Sequence, residues 1–81
     1  MVYKKNKKRI KIIAERIKAL RFKAGYTSHE TFANDNNLDR KGYWRLESGH
    51  NFTINTLFRI LDIHGVSIEE FFSEIDTKQE K

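Results

Sequence analysis

Residues 27–49, TSHETFANDNNLDRKGYWRLESG, decide how this chain is read. They predict two short helices joined by a polar turn. Thr27-Ser28-His29-Glu30 fits a capping box, with Thr27 as the expected cap and Glu30 reaching back to it. Phe32 and Ala33 are the inward residues of the first helix, and Asn34 to Asn37 then break the apolar period. Asn37 is the candidate for a left-handed backbone position, because asparagine tolerates positive φ better than most residues. Asp39 is expected to cap the second helix, which runs to about Ser48 and is stopped by Gly49. With successive residues turned by about 100°, Tyr43, Leu46 and Glu47 share one side of that helix. Lys41, Trp44, Arg45 and Ser48 fall on the other side, and Arg40 lies at the N-terminal edge.

The flanks of this segment supply a helical frame. Ile10, Ile13, Ile17, Leu20 and Ala24 recur at alternating spacings of three and four, predicting a helix from about Lys7 to Ala24 that Gly25 ends. After the loop His50-Asn51-Phe52, Thr53 is the expected cap of a fourth helix. Its predicted buried face is Ile54, Leu57, Phe58 and Leu61, with Ile60 beside them, and Gly65 ends it. Ser67-Ile68-Glu69-Glu70 is a second capping box, opening a fifth helix with Ile68, Phe71 and Phe72 as its apolar residues. The expected organisation is a flexible basic arm over 1–6, a single domain over 7–75 and a polar tail over 76–81.

Composition bounds the class. Eighty-one residues allow one small domain with one modest core. Proline is absent and glycine scarce, which suits an all-α chain. With no cysteine, neither disulfides nor thiolate metal sites hold it together. The basic N-terminus is followed by no long apolar run, and no stretch reaches the length of a membrane span. The sequence therefore reads as cytoplasmic and unprocessed, with no membrane partner. The three histidines are scattered, and there is no nucleophile motif, phosphate loop or cluster at metal-ligand spacing. The reading is a non-enzyme without cofactor or metal, too small to hold a ligand-sensing domain, so no small-molecule ligand is expected.

Charge is distributed unevenly. Up to Gly25 there are ten basic residues against Glu15 alone, whereas from Ile60 onward six acidic residues face only Lys78 and Lys81. One basic and one acidic end create a field that orients a molecule toward a polyanion. A Lys-rich helix that merely keeps a small protein soluble explains the same pattern. A short helix with Arg40 and Lys41 at its N-terminal end and Arg45 one turn later is what entry into a DNA major groove requires.

From about Ile17 to Phe72 the chain resembles the Cro/C1-type (XRE-like) helix-turn-helix family. The resemblance is carried by Gly25-Tyr26-Thr27-Ser28, by Phe32-Ala33, and by Arg40…Tyr43…Arg45-Leu46-Glu47-Ser48-Gly49. Leu57…Ile60-Leu61 and Gly65-Val66-Ser67…Glu70-Phe71-Phe72 carry it further. The Gly-Tyr-Thr-Ser…Phe-Ala and Arg-x-x-Tyr-x-Arg-x-Glu version looks like a branch common in Bacteroidetes bacteria. The resemblance implies a compact five-helix, lambda-repressor-like domain whose second and third helices form the helix-turn-helix. It implies a homodimer on a palindromic operator, binding double-stranded DNA sequence-specifically as a transcriptional regulator, a repressor in our reading. The chain departs from the family pattern at Asn36, at Asn37 where glycine is frequent, and at Gly42 and Trp44, where small polar residues are more usual.

The family's base-reading positions fall on Arg40, Lys41 and Arg45, and an arginine or lysine facing a guanine edge satisfies its O6 and N7 acceptors. Trp44 is a further candidate at the base edges, with packing over the second helix as the alternative. Phosphate contacts are expected from Thr27, Ser28 and His29 at the start of the second helix and from Ser48, His50 and Asn51 after the third. The resemblance also implies a structural ion pair between Arg21 and Glu47. Phe72 and Ile75 are candidates for the dimer surface. The alternative function is a protein-interaction or antitoxin-like helix-turn-helix module with weak or no specific DNA binding.

Overall fold

The structure, a computed structural model, describes residues 6–73, so residues 1–5 of the basic arm, Ile75 and the tail over 76–81 lie outside the described residues. The described residues form five α-helices and no strand: α1 Lys7–Lys23, α2 His29–Asp35, α3 Arg40–Glu47, α4 Ile54–His64 and α5 Ile68–Ser73. No helix among them is long and apolar enough to cross a membrane. They divide into two units, one ending at Asn51 and the other beginning at Phe52.

Local chemistry sets the helix ends. Asp39 caps α3, its Oδ2 accepting from the Gly42 N–H at 2.7 Å. Thr53 does the same for α4, accepting from the Thr56 N–H at 3.2 Å. At α5 the capping box is reciprocal: the Glu70 N–H donates to Ser67 Oγ and the Ser67 N–H to Glu70 Oε1. Each such cap is worth about 1 kcal/mol, because it satisfies a donor that has no partner within the helix. The cap of α2 corrects the sequence reading. Ser28, not Thr27, holds that position and accepts from the Thr31 N–H at 3.3 Å. Adjacent hydroxyls satisfy the same pattern, and the helix starts one residue later than the box placed it.

The C-terminal ends of α1, α2 and α3 share one motif. After α2 the Leu38 N–H donates to the Ala33 carbonyl and Asn37 sits at φ 57°, the left-handed position expected of it. After α1 the Tyr26 N–H donates to the Arg21 carbonyl, and after α3 the His50 N–H donates to that of Arg45. These six-residue closures satisfy carbonyls that the helix leaves open, and they turn the chain sharply. The turn between α2 and α3 is therefore short and defined at both ends.

Among the described residues of the first unit the buried hydrophobic side chains are Ala14, Ile17, Leu20, Phe32, Ala33, Tyr43 and Leu46, and Arg21 is the one buried charged residue. α2 packs on α3, and α1 packs on α3. Phe32 is the hinge of the aromatic packing, with its ring centroid 5.0 Å from Tyr43 and 5.2 Å, edge-on, from Tyr26. Burying such side chains contributes roughly 1.5–3 kcal/mol each, and the ring geometry adds to it. In the second unit α4 and α5 pack together, burying Leu57, Ile60, Leu61 and Phe71. Ile54, Phe58, Ile68 and Phe72 remain exposed. This corrects the predicted α4 face: Ile60 is in it, and Ile54 and Phe58 are not.

Candidate nucleic-acid interface

α3 presents two chemically different sides because its apolar residues recur at a spacing of three. Tyr43 and Leu46 are buried, which turns Arg40, Lys41, Trp44 and Arg45 outward, all exposed. Arg40 and Lys41 stand in the first turn, where the helix already carries a partial positive charge, and no acidic side chain occupies that turn. The Asp39 cap and Glu30 place carboxylates in the same cleft as these two cations.

The angle of α3 is held from beneath by Arg21. The Arg21 guanidinium donates to both Glu47 carboxylate oxygens, Nε to Oε2 at 2.8 Å and Nη2 to Oε1 at 3.0 Å. Its third contact runs from Nη1 to the Tyr26 carbonyl at 3.0 Å. That carbonyl is brought within reach by the turn closing α1, in which the Tyr26 N–H bonds back to Arg21 itself. Both side chains of the pair are almost fully buried, at 4% and 7% exposure. The hydrogen bond to Glu47 raises the Arg21 pKa, against the opposing effect of burial, so the cation is secured where a lone charge would be costly. Tyr43 lies close by. Burial first, and the Glu47 carboxylate second, push its phenol well above the ordinary tyrosine range. The pair thus ties the end of α1 to the end of α3, 26 residues apart.

An open cleft of about 430 Å³ lies between the start of α2 and the outer side of α3, lined by His29, Glu30, Asp39, Arg40, Lys41 and Trp44. It brings together three of the four residues expected to read bases and one, His29, expected at phosphate. Arg45 is not part of its lining. The indole of Trp44 is 48% exposed, with its ring centroid 6.3 Å from that of His50. Trp44 thus neither enters the core nor stands clear of α2.

The other residues expected at phosphate lie at the two ends of this face. Thr27 is exposed, Ser28 is engaged as the α2 cap and His29 is half-buried. Beyond α3, the Ser48 hydroxyl donates to the Trp44 carbonyl at 2.8 Å, and His50 Nδ1 lies 3.3 Å from the Arg45 carbonyl. Asn51 is exposed. The side chains of Ser28 and Ser48 are therefore engaged at the helix ends. In the second unit Phe72 is 42% exposed, its ring edge-on to Phe71.

Two features of the site were not in the sequence reading. Glu30 and Asp39 bring carboxylates into the same cleft as the cations, and Tyr26 donates its hydroxyl to Asp35 Oδ2 at 2.9 Å. The sequence reading gave Glu30 a place in the capping box of α2; its closeness to α3 comes from helix packing. Among the described residues no group of histidine, cysteine, aspartate or glutamate side chains is arranged to hold a metal. Compared with protein-family models, curated proteins and solved structures, the chain finds no match in any of the three.

Proposed function

We propose that this chain is a Cro/C1-type helix-turn-helix protein that binds double-stranded DNA sequence-specifically. In this reading it regulates transcription in the cytoplasm as a repressor, since occupying an operator needs no further activity. The observation that carries the proposal is the outward face of α3, where Arg40, Lys41 and Arg45 are exposed together on a helix braced by a buried bidentate ion pair. α3 lies in the major groove, its cations on base edges and phosphates, while residues at the start of α2 and after α3 set the register. Two copies bind a palindromic operator, with Phe72, and Ile75 beyond the described residues, as the proposed contact.

The test is selection from random double-stranded DNA using the full chain, followed by anisotropy titration of the selected and scrambled sequences. The expected result is one enriched motif with guanine in each half-site, bound at least roughly a thousandfold more tightly than scrambled DNA. No enrichment, with equal affinity for both sequences, overturns it. One observation favours a second reading, a protein-interaction or antitoxin-like module. A half-exposed tryptophan beside a cleft is a common anchor for a protein partner, and that reading predicts the negative result.

A further inference from the structure

Among the described residues of the first unit two large apolar side chains are exposed, Phe22 and Trp44. Phe22 has an intramolecular role: the Arg21 guanidinium carbon lies 4.5 Å from its ring centroid, a cation–π contact over its face. Trp44 is 48% exposed, with the tilted His50 ring 6.3 Å away between centroids. It lines the cleft together with Arg40 and Lys41, and Arg45 follows it on the exposed side of α3. The indole keeps nearly half of its surface in water beside the exposed cations Arg40, Lys41 and Arg45, so a ligand with an apolar surface gains by covering it.

The edges that base pairs present in the major groove are hydrogen-bond donors and acceptors, with one apolar exception, the C5 methyl of thymine. A donor or acceptor pressed against the indole face loses its water with nothing in exchange, whereas a methyl gains from the contact. We propose that Trp44 is a specificity-determining residue whose ring face reads a thymine methyl. The cations around it engage guanine and phosphate. The inference rests on the DNA-binding reading above and assigns the tryptophan a base, which neither the cations nor the fold supplies.

The test replaces each thymine of the selected operator in turn by deoxyuridine, which removes the methyl and leaves the pairing edge intact. Binding is titrated for the wild type, Trp44→Ala and Trp44→Phe, after circular dichroism has established that each variant folds. At one position per half-site, deoxyuridine should weaken the wild type about fourfold, the value of one methyl-sized group buried. Trp44→Ala should bind both duplexes equally, and Trp44→Phe, which keeps a ring face without the N–H, should retain the sensitivity. If no thymine shows the effect, if Trp44→Ala shows it undiminished, or if Trp44→Phe loses it, the proposal is overturned while sequence-specific binding stands. Absence of any selected motif overturns both.

Discussion

Replacing Glu47 by alanine tests whether the buried ion pair sets the stability of the domain and the pose of α3. The substitution removes both acceptors of a bidentate bond at 2.8 and 3.0 Å and leaves Arg21, 3% exposed, with a hydrogen bond to the Tyr26 carbonyl and the Phe22 ring face but no counter-charge from Glu47. Arginine does not escape by losing its proton, so the charge stays where it is. Breaking one side of a buried pair costs about 3–5 kcal/mol, set against roughly 4–12 kcal/mol of total stability for a chain of this size. Thermal unfolding followed by circular dichroism should therefore show Tm lowered by more than about 12 °C. Glu47→Gln, which retains one carbonyl acceptor, should fall in between and remains measurable if the alanine variant is unfolded at room temperature. The double substitution Arg21→Met with Glu47→Leu should recover most of the loss, because no unpaired charge remains. A Tm shift under about 4 °C for Glu47→Ala would mean that the pair behaves like a surface contact, and the bracing argument would be wrong.

Other outcomes follow from the same geometry. Tyr43 is held neutral in the folded state, so its stabilising effect is complete below the ordinary tyrosine pKa near 10 and is lost as pH rises above it. Urea unfolding at pH 8, 10 and 11 should show stability falling by up to about 1.4 kcal/mol per pH unit from this group above pH 10. Tyr43→Phe should remove that component while the smaller same-sign effect of Tyr26 persists. Asp39→Ala should cost about 1 kcal/mol in chemical denaturation through loss of the α3 cap. Gly42→Ala should recover less than its usual helix gain of about 1 kcal/mol, because its new Cβ would stand 3.1 Å from the capping Asp39 Oδ2. Arg45→Ala should weaken binding to the selected operator by about 1–3 kcal/mol and relax preference at one base pair, read by competition titration. A uniform loss across sequences would make Arg45 a phosphate contact instead.

The departures at Asn37 and Gly42 acquire local explanations from this geometry. Asn37 fills a left-handed position that glycine would also fill, since a short polar side chain tolerates positive φ. Gly42 stands where the cap carboxylate passes close to the helix backbone.

The amino-acid sequence alone determined the all-helical class and most helix ends. Asp39, Thr53 and the Ser67–Glu70 box act on backbone groups three residues away, and Asn37 closes a turn over five residues, so their effects are written in neighbouring letters. It also determined which side of α3 is apolar, because Tyr43 and Leu46 admit only one inward direction. The choice between Thr27 and Ser28 lay below that resolution. Which apolar stripe is covered follows from tertiary packing. Ile54 and Phe58 keep helical spacing with Leu57 and Leu61 as well as Ile60 does, and burial depends on what packs against the helix rather than on the period. The bond geometry of Arg21 and Glu47, and the gathering of Glu30, Asp39 and Trp44 into one cleft, belong to the same class. Hydrogen bonds along a helix are local, whereas a buried charge and a shared cleft exist only once separate helices meet.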